Sequence, residues 1–212
     1  MAPLRSLVAA TLLFLSTANA QFELLLPLPL EGDKMNKDLE PAGPCGGGVP
    51  DLSSNTATDF HVDGDSVAIR LGQPQANIMI GATLDSHAAS NWTALFPIVK
   101  QSGQGNFCEP AITVPKEWAG KKGFIGVVSK TSDAERYQCA AVNFVSGAKK
   151  TVSSTCNNGT GVSASFTSDL TLSGMVGSPS NSGASLLLRG SGLPVGSFAV
   201  IAGMILAGAA VL

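Results

Sequence analysis

Charge, aromatics and histidine are all scarce in this chain. Charged residues make up 13% of the 212 positions and aromatic residues 6%, with a single Tyr and 2 His. The 15 acidic residues outnumber the 13 basic ones, and two of the basic ones, Arg5 and Arg189, lie in segments expected to be removed. An acidic domain with no basic stripe is not built for nucleic acid or for an anionic membrane surface. His61 and His87 are the only imidazoles, and no Gly-x-Ser-x-Gly turn occurs, so hydrolytic catalysis has little to work with. A Ser-His-Asp set needs only to converge in space, but no spacing marks one. No stretch sustains an apolar stripe of helical period, which argues against a helical fold.

What is abundant sits at the two ends. Met1 to Ala20 carries Arg5, an apolar run from Leu7 to Leu15 and the small-residue close Ala18-Asn19-Ala20, the pattern of a secretory signal peptide. An apolar core of about nine residues is too short to cross a hydrocarbon layer about 30 Å thick. The mature chain is expected to begin at Gln21. At the other end Leu193 to Leu212 is almost wholly apolar and follows a polar spacer, Ala184 to Gly192, and the small triplet Asn181-Ser182-Gly183. This order is that of a glycosylphosphatidylinositol signal. Asn181 is the expected attachment residue, with Ser182 or Gly183 as alternatives, and 184–212 is expected to be removed as a propeptide. The sequons at Asn91 and Asn158 suit a chain that passes through the secretory pathway. The expected location is the extracellular face of the plasma membrane, held by lipid, or the cell wall.

Cys45, Cys108, Cys139 and Cys156 are even in number and lack a Cys-x-x-Cys pair, so two disulfides are expected rather than zinc. Of the three possible connectivities, Cys108 with Cys139 and Cys45 with Cys156 is favoured by their positions around the strand region. Period-two alternation in Val67 to Leu71 and Ala76 to Ala82, on either side of Gly72-Gln73-Pro74-Gln75, predicts a pair of half-buried strands. Phe22 to Leu26, Ala94 to Val99, Gly123 to Ser129 and Gln138 to Val145 are further strand candidates. Many short strands with turn residues between them predict an all-β, immunoglobulin- or fibronectin-like antiparallel sandwich over 21–158. Glu31 to Pro50 is expected to cross between sheets as an irregular loop. From Thr151 onward Ser and Thr dominate, so 159–183 is expected to be a disordered stalk. His61-Val62-Asp63-Gly64-Asp65 lacks the oxygen count of a calcium loop and is expected to be a solvated turn. Phe60 and Trp92 are expected in the core or at its edge, and Gly46-Gly47-Gly48 is no phosphate loop.

The segments Gln21-Phe22-Glu23-Leu24, Pro44-Cys45-Gly46-Gly47, Asn106-Phe107-Cys108-Glu109-Pro110 and Tyr137-Gln138-Cys139-Ala140-Ala141-Val142 together resemble the fungal copper acquisition factor family. The resemblance covers about Gln21 to Cys156 and implies a fold like that of lytic polysaccharide monooxygenases, with copper handled at the cell surface. It further implies a copper site made by an N-terminal histidine, a second histidine and an aspartate, ligands that suit Cu(II). Gln21, Gln73 and Ala141 occupy those positions here, an amide or a methyl group replacing each ligand. The expectation is therefore a non-catalytic binding or structural module without a cofactor, its partner a wall glycan or another surface protein. Copper binding and acquisition is the alternative, with His61 and His87 as a relocated site, and an oxidative polysaccharide-active enzyme is the third reading.

Overall fold

The computed structural model describes residues 22–30, 40–47, 50–53 and 56–177. The expected signal peptide, Gln21, Asn181 and the apolar tail lie outside the described residues. Apolar residues build most of the strands, which run β1 (Phe22–Leu26), β2 (Thr58–His61), β3 (Asp65–Leu71), β4 (Gln75–Thr83), β5 (Thr93–Ala94), β6 (Val99–Ser102), β7 (Gly105–Ile112), β8 (Lys122–Lys130), β9 (Glu135–Val145) and β10 (Ser163–Phe166), followed among the described residues by the short α-helix α1 (Leu170–Gly174). They form a sandwich of a 3-stranded sheet, β1-β3-β7, and a 7-stranded sheet, β10-β6-β4-β8-β9-β2, with β5 on β4. Strand pairing is antiparallel except for β2, which runs parallel to β9. The chain passes from the smaller sheet to the larger between β1 and β2; residues 31–39 and 48–49 of the expected crossing loop lie outside the described residues.

Between the sheets lies one core, to which Val67, Ile69 and Leu71 of β3 contribute from one side and Ile78 and Ile80 of β4, Ile125 and Val127 of β8, and Val142 and Phe144 of β9 from the other. The opposite faces are not left polar. Met79 and Val128 point outward from the larger sheet and are buried by Leu172 of α1. Phe124, Cys139 and Ala141 point the same way and pack with Cys45, Ala88 and Trp92. On the smaller sheet Ala68, outward on β3, is fully buried; it lies opposite Cys108 in the β3/β7 register.

This arrangement corrects the expected disulfides. The observed pairs are Cys45–Cys139 and Cys108–Cys156. Cys108 and Cys139 stand on the outer faces of different sheets, so the whole core, about 10 Å thick, separates side chains that point apart. Each bridge instead ties a strand's outer face to the irregular segment covering it.

The strand boundaries need three further corrections. Ala94 to Val99 is not one strand, because β5 ends at Ala94 and β6 begins at Val99, with Phe96-Pro97 between them. β7 contains Pro110, a residue that cannot donate to a ladder; the register shift opposite Asp65/Val67 accommodates it. Residues 159–177, expected in a stalk, instead complete the fold. β10 is exposed along its length yet pairs residue for residue with β6, so its backbone ladder holds it, helped by the Phe166 ring against Phe96 at 5.8 Å. After β10 the chain crosses the outer face of the larger sheet as a strap. Asp169 caps α1 through the Thr171 and Leu172 N–H groups and accepts from Lys130 Nζ at 2.8 Å and Asn77 Nδ2 at 2.9 Å.

Two predictions follow from these contacts. At Gly46 (φ +81°) a Cβ would collide with the Tyr137 carbonyl, so Gly46→Ala should destabilise by at least about 2 kcal/mol, read as a lowered denaturant midpoint at unchanged slope. Burial raises the pKa of the Asp169 carboxyl, but the bonds from Lys130, Asn77 and the Leu172 N–H outweigh it and hold it at about 2. A depressed carboxyl pKa stabilises the fold above its ordinary value and loses that contribution on acidification. Stability should therefore fall as pH drops from 3.8 toward about 2, and the Asp169→Asn variant should show a shallower decline over the same window in a pH series of thermal melts.

Candidate functional site

The strand register gives the sandwich two distinct ends. At the upper end β1, β7 and β9 begin and β3 and β8 finish; Phe22 lies opposite Leu71, and Leu71 opposite Gly105. At the lower end β4 and β9 finish and β8 begins, with Thr83 opposite Phe124 and Phe124 opposite Ala141. A mature chain starting at Gln21 would begin at the upper end, one residue before Phe22.

Gln138 organises this upper end. It is an inward-facing polar residue on β9, only 6% exposed, at a position where the alternation calls for an apolar side chain. Its Oε1 accepts from Leu24 N–H at 2.6 Å, and its Nε2 donates to the Phe22 carbonyl at 3.2 Å and to Glu40 Oε1 at 3.0 Å. Buried Glu40 also faces Arg136, Oε2 to Nε at 3.6 Å. β1 is an edge strand, and this amide satisfies backbone groups that β3 does not reach, joining the two sheets across the core. Sequence reading passed over Gln138; the signal available was a polar residue interrupting the β9 alternation.

The residues singled out from sequence do not converge. Gln73 is half-buried in the β3–β4 turn at the upper end. Ala141 is 1% exposed on the lower half of β9, within the cluster around Cys45 and Cys139. The eight residue steps of β4 from Gln75 to Thr83 put about 27 Å between the two ends, so Ala141 and Gln73 share no site. Both imidazoles belong to the lower end. His61 closes β2, its Nδ1 3.0 Å from Asp65 Oδ2, and His87 follows β4, its Nδ1 2.9 Å from Ser86 Oγ. The strands they adjoin, β2 and β4, are separated by β8 and β9.

The solvated-turn expectation for 61–65 is also corrected. Asp65 is 2% exposed and is held by His61, by the Ser66 N–H at 2.7 Å and by Lys149 Nζ at 3.0 Å. Burial pushes its carboxyl pKa up, but these partners together bring it below the usual 3.8. Lys149 returns to the turn from more than eighty positions away, a contact that local sequence does not reveal. Phe60 and Trp92 take core and edge positions as expected. Phe60 is buried edge-to-face against Phe144, and Trp92 donates Nε1–H to the Ala88 carbonyl at 2.9 Å over Gly126. Asn91 and Asn158 are both exposed, and Asn158 Oδ1 accepts from the Cys108 N–H at 2.8 Å.

A family profile described as "Copper acquisition factor BIM1-like" matches residues 19–161. The chain belongs to this family. It is 30% identical over 173 residues to the lytic polysaccharide monooxygenase-like protein X325 of Yarrowia lipolytica, covering 76% of this chain and 62% of the relative. It is 26% identical over 164 residues to an uncharacterized protein of Aspergillus fumigatus, covering 74% and 66%. The chain thus spans under two thirds of the length of the Yarrowia relative.

In this BIM1-like chain the donors that the described residues bring to the upper end do not make up a copper(II) set, which takes imidazole and amine nitrogens completed by a carboxylate. Among the described residues no group of three or more His, Cys, Asp or Glu could hold a metal ion. The upper end offers Gln73, Gln104, whose Nε2 is bonded to the Gly72 carbonyl, and Gln101. Gln101 is fully buried and its Oε1 has no hydrogen-bond partner among the described residues, but that atom is a neutral amide oxygen. An open hollow of about 470 Å³ beside the β8–β9 turn is lined by Lys130, Asp133 and Glu135 and likewise contains no imidazole.

Replacing Gln138 by Leu would leave the Leu24 N–H and the Phe22 carbonyl without their buried partner, at about 1–3 kcal/mol for each group. The expected loss is about 2–6 kcal/mol in equilibrium unfolding, with hydrogen exchange at Leu24 accelerated well beyond that of β4 amides.

Proposed function

We propose that this member of the family is a non-catalytic binding or structural module of the fungal cell surface, held on the outer leaflet by a glycosylphosphatidylinositol anchor at Asn181. The observation that carries the reading is the chemistry of the upper end, where amides stand and both imidazoles lie at the other end of the sandwich. Support for the anchor comes from sequence: the small triplet Asn181-Ser182-Gly183, the spacer and the apolar tail. No described helix is long and apolar enough to cross a membrane. The partners in this reading are a wall glycan or another surface protein.

A second reading, copper binding and acquisition, is favoured by the family's description and rests on it. An oxidative action on polysaccharide would require a redox metal held by ligands that the described residues do not bring together.

Calorimetric titration of Cu(II) into the secreted protein tests the choice. The expected outcome is no saturable site of submicromolar affinity. A single tight site would overturn the proposal in favour of copper handling, and oxidised oligosaccharides released from cell-wall glucan or chitin would overturn it in favour of the enzyme. Release of the protein from intact cells by phosphatidylinositol-specific phospholipase C is expected if the anchor is present, and retention would remove the anchored part of the reading.

A further inference from the structure

The strap has a direction, and that direction matters for a chain that continues into a membrane anchor. β10 starts at the upper end, Ser163 opposite Ser102 of β6. Asp169 then takes hold of Lys130, the last residue of β8, and of Asn77 near the start of β4. Leu172 packs over Met79 and Val128, and Met175 Sδ lies 3.9 Å from the Tyr137 hydroxyl. The path ends where Gly177 N–H donates to the Trp92 carbonyl at 2.9 Å and Gly177 bridges Thr93. Thr93 is paired with Ala82, next to the last residue of β4. The strap therefore carries the chain from the upper end to the lower end and fastens it there.

Only four residue steps separate Gly177 from Asn181, a reach of at most about 14 Å. The sandwich is about twice as long as that, since β4 alone spans about 27 Å. The anchor's own glycan lengthens the tether, but a tether that leaves the fold at the lower end still puts that end nearest the lipid, with the upper end a strand length of about 27 Å farther away.

We propose that the lower end is the membrane-facing surface of the anchored protein and that the docked strap, rather than a loose stalk, enforces this orientation. The partner is the lipid headgroup layer. The surface presented to it is made by the 84–92 loop and by the segment from Lys116 to Lys122, including the exposed Lys121 and Lys122. The upper end, with the start of β1 and Gln73, then faces away from the cell and is open to external ligands. This inference rests on the anchored reading above.

Tryptophan supplies the probe. The chain has 2 Trp. Trp92 adjoins the strap's last contact, and Trp118 packs on Phe144 of the lower core with ring centroids 5.4 Å apart. Full-length lipid-anchored protein in phosphatidylcholine vesicles bearing a dansyl-labelled headgroup should show strong energy transfer from tryptophan to dansyl. Inserting a twenty-residue Gly/Ser spacer between Gly177 and Asn181 should lower the transfer several-fold. The triple variant Trp92→Phe, Trp118→Phe, Gln104→Trp moves the donor to an exposed upper-end turn and should also give several-fold less, its fold verified by circular dichroism. Equal transfer from the two ends, or transfer unchanged by the spacer, would overturn the orientation while leaving the anchor intact. Failure of phospholipase C to release the protein would instead remove the anchored reading, and the orientation with it.

Discussion

The constraint on which the fold depends is that the larger sheet is apolar on both faces. β4, β8 and β9 send Ile78, Ile80, Val127 and Val142 into the core and, from intervening positions, send Met79, Val128, Phe124 and Ala141 the other way. Water cannot be left on that second face without losing about 25 cal/mol for each Å² of apolar surface involved. The irregular parts of the chain are therefore obliged to be covers. The 40–47 and 84–92 segments pack around Cys139 and Phe124, and the strap lies over Met79 and Val128. The 151–159 segment runs along the smaller sheet to Cys156 and Asn158. Three of these covers are pinned by one strong device each: a disulfide for 40–47 and for 151–159, and the Asp169 carboxylate for the strap.

The two disulfides carry different weights in the chain-entropy account. Cys45–Cys139 closes a separation of 94 residues and Cys108–Cys156 one of 48, worth about 4.7 and about 4.1 kcal/mol when strain is neglected. Their common feature is geometric. Both join the outer face of a strand to a cover, and neither crosses the core. The sandwich itself is closed across the core by side-chain packing and by the Gln138 amide, the polar link between β9 and the β1 edge.

The elements that could be read from the sequence are apolar runs bounded by turn residues. β3 and β4 fall where period-two alternation puts them, and β1, β8 and β9 where such runs stand, those of β8 and β9 being apolar on both faces. β2 offers a single buried aromatic, Phe60; β7 carries Pro110; and β10 is Ser, Ala, Ser and Phe with nothing buried. Backbone pairing holds such strands, and composition does not report it. The family could be read from short motifs around the cysteines, and the pairing of those cysteines could not, since period-two logic says which residues share a face only once the strand containing each is known. The same limit affected Ala141. Adjacency to Cys139 in sequence says nothing about which end of a strand a residue occupies, and six steps along β9 separate Ala141 from Glu135, where the strand begins at the upper end.

The strap also affects how the domain can be isolated. The family match stops at residue 161, two residues before β10 begins, so a fragment trimmed to that boundary would lack the strand capping the β6 edge and the helix over Met79 and Val128. Bare ladder groups beside exposed methionine and valine are a template for intermolecular strand pairing. For recombinant work a fragment should keep the chain at least through Gly177, whose N–H holds the Trp92 carbonyl, because a shorter one leaves that edge open to self-association.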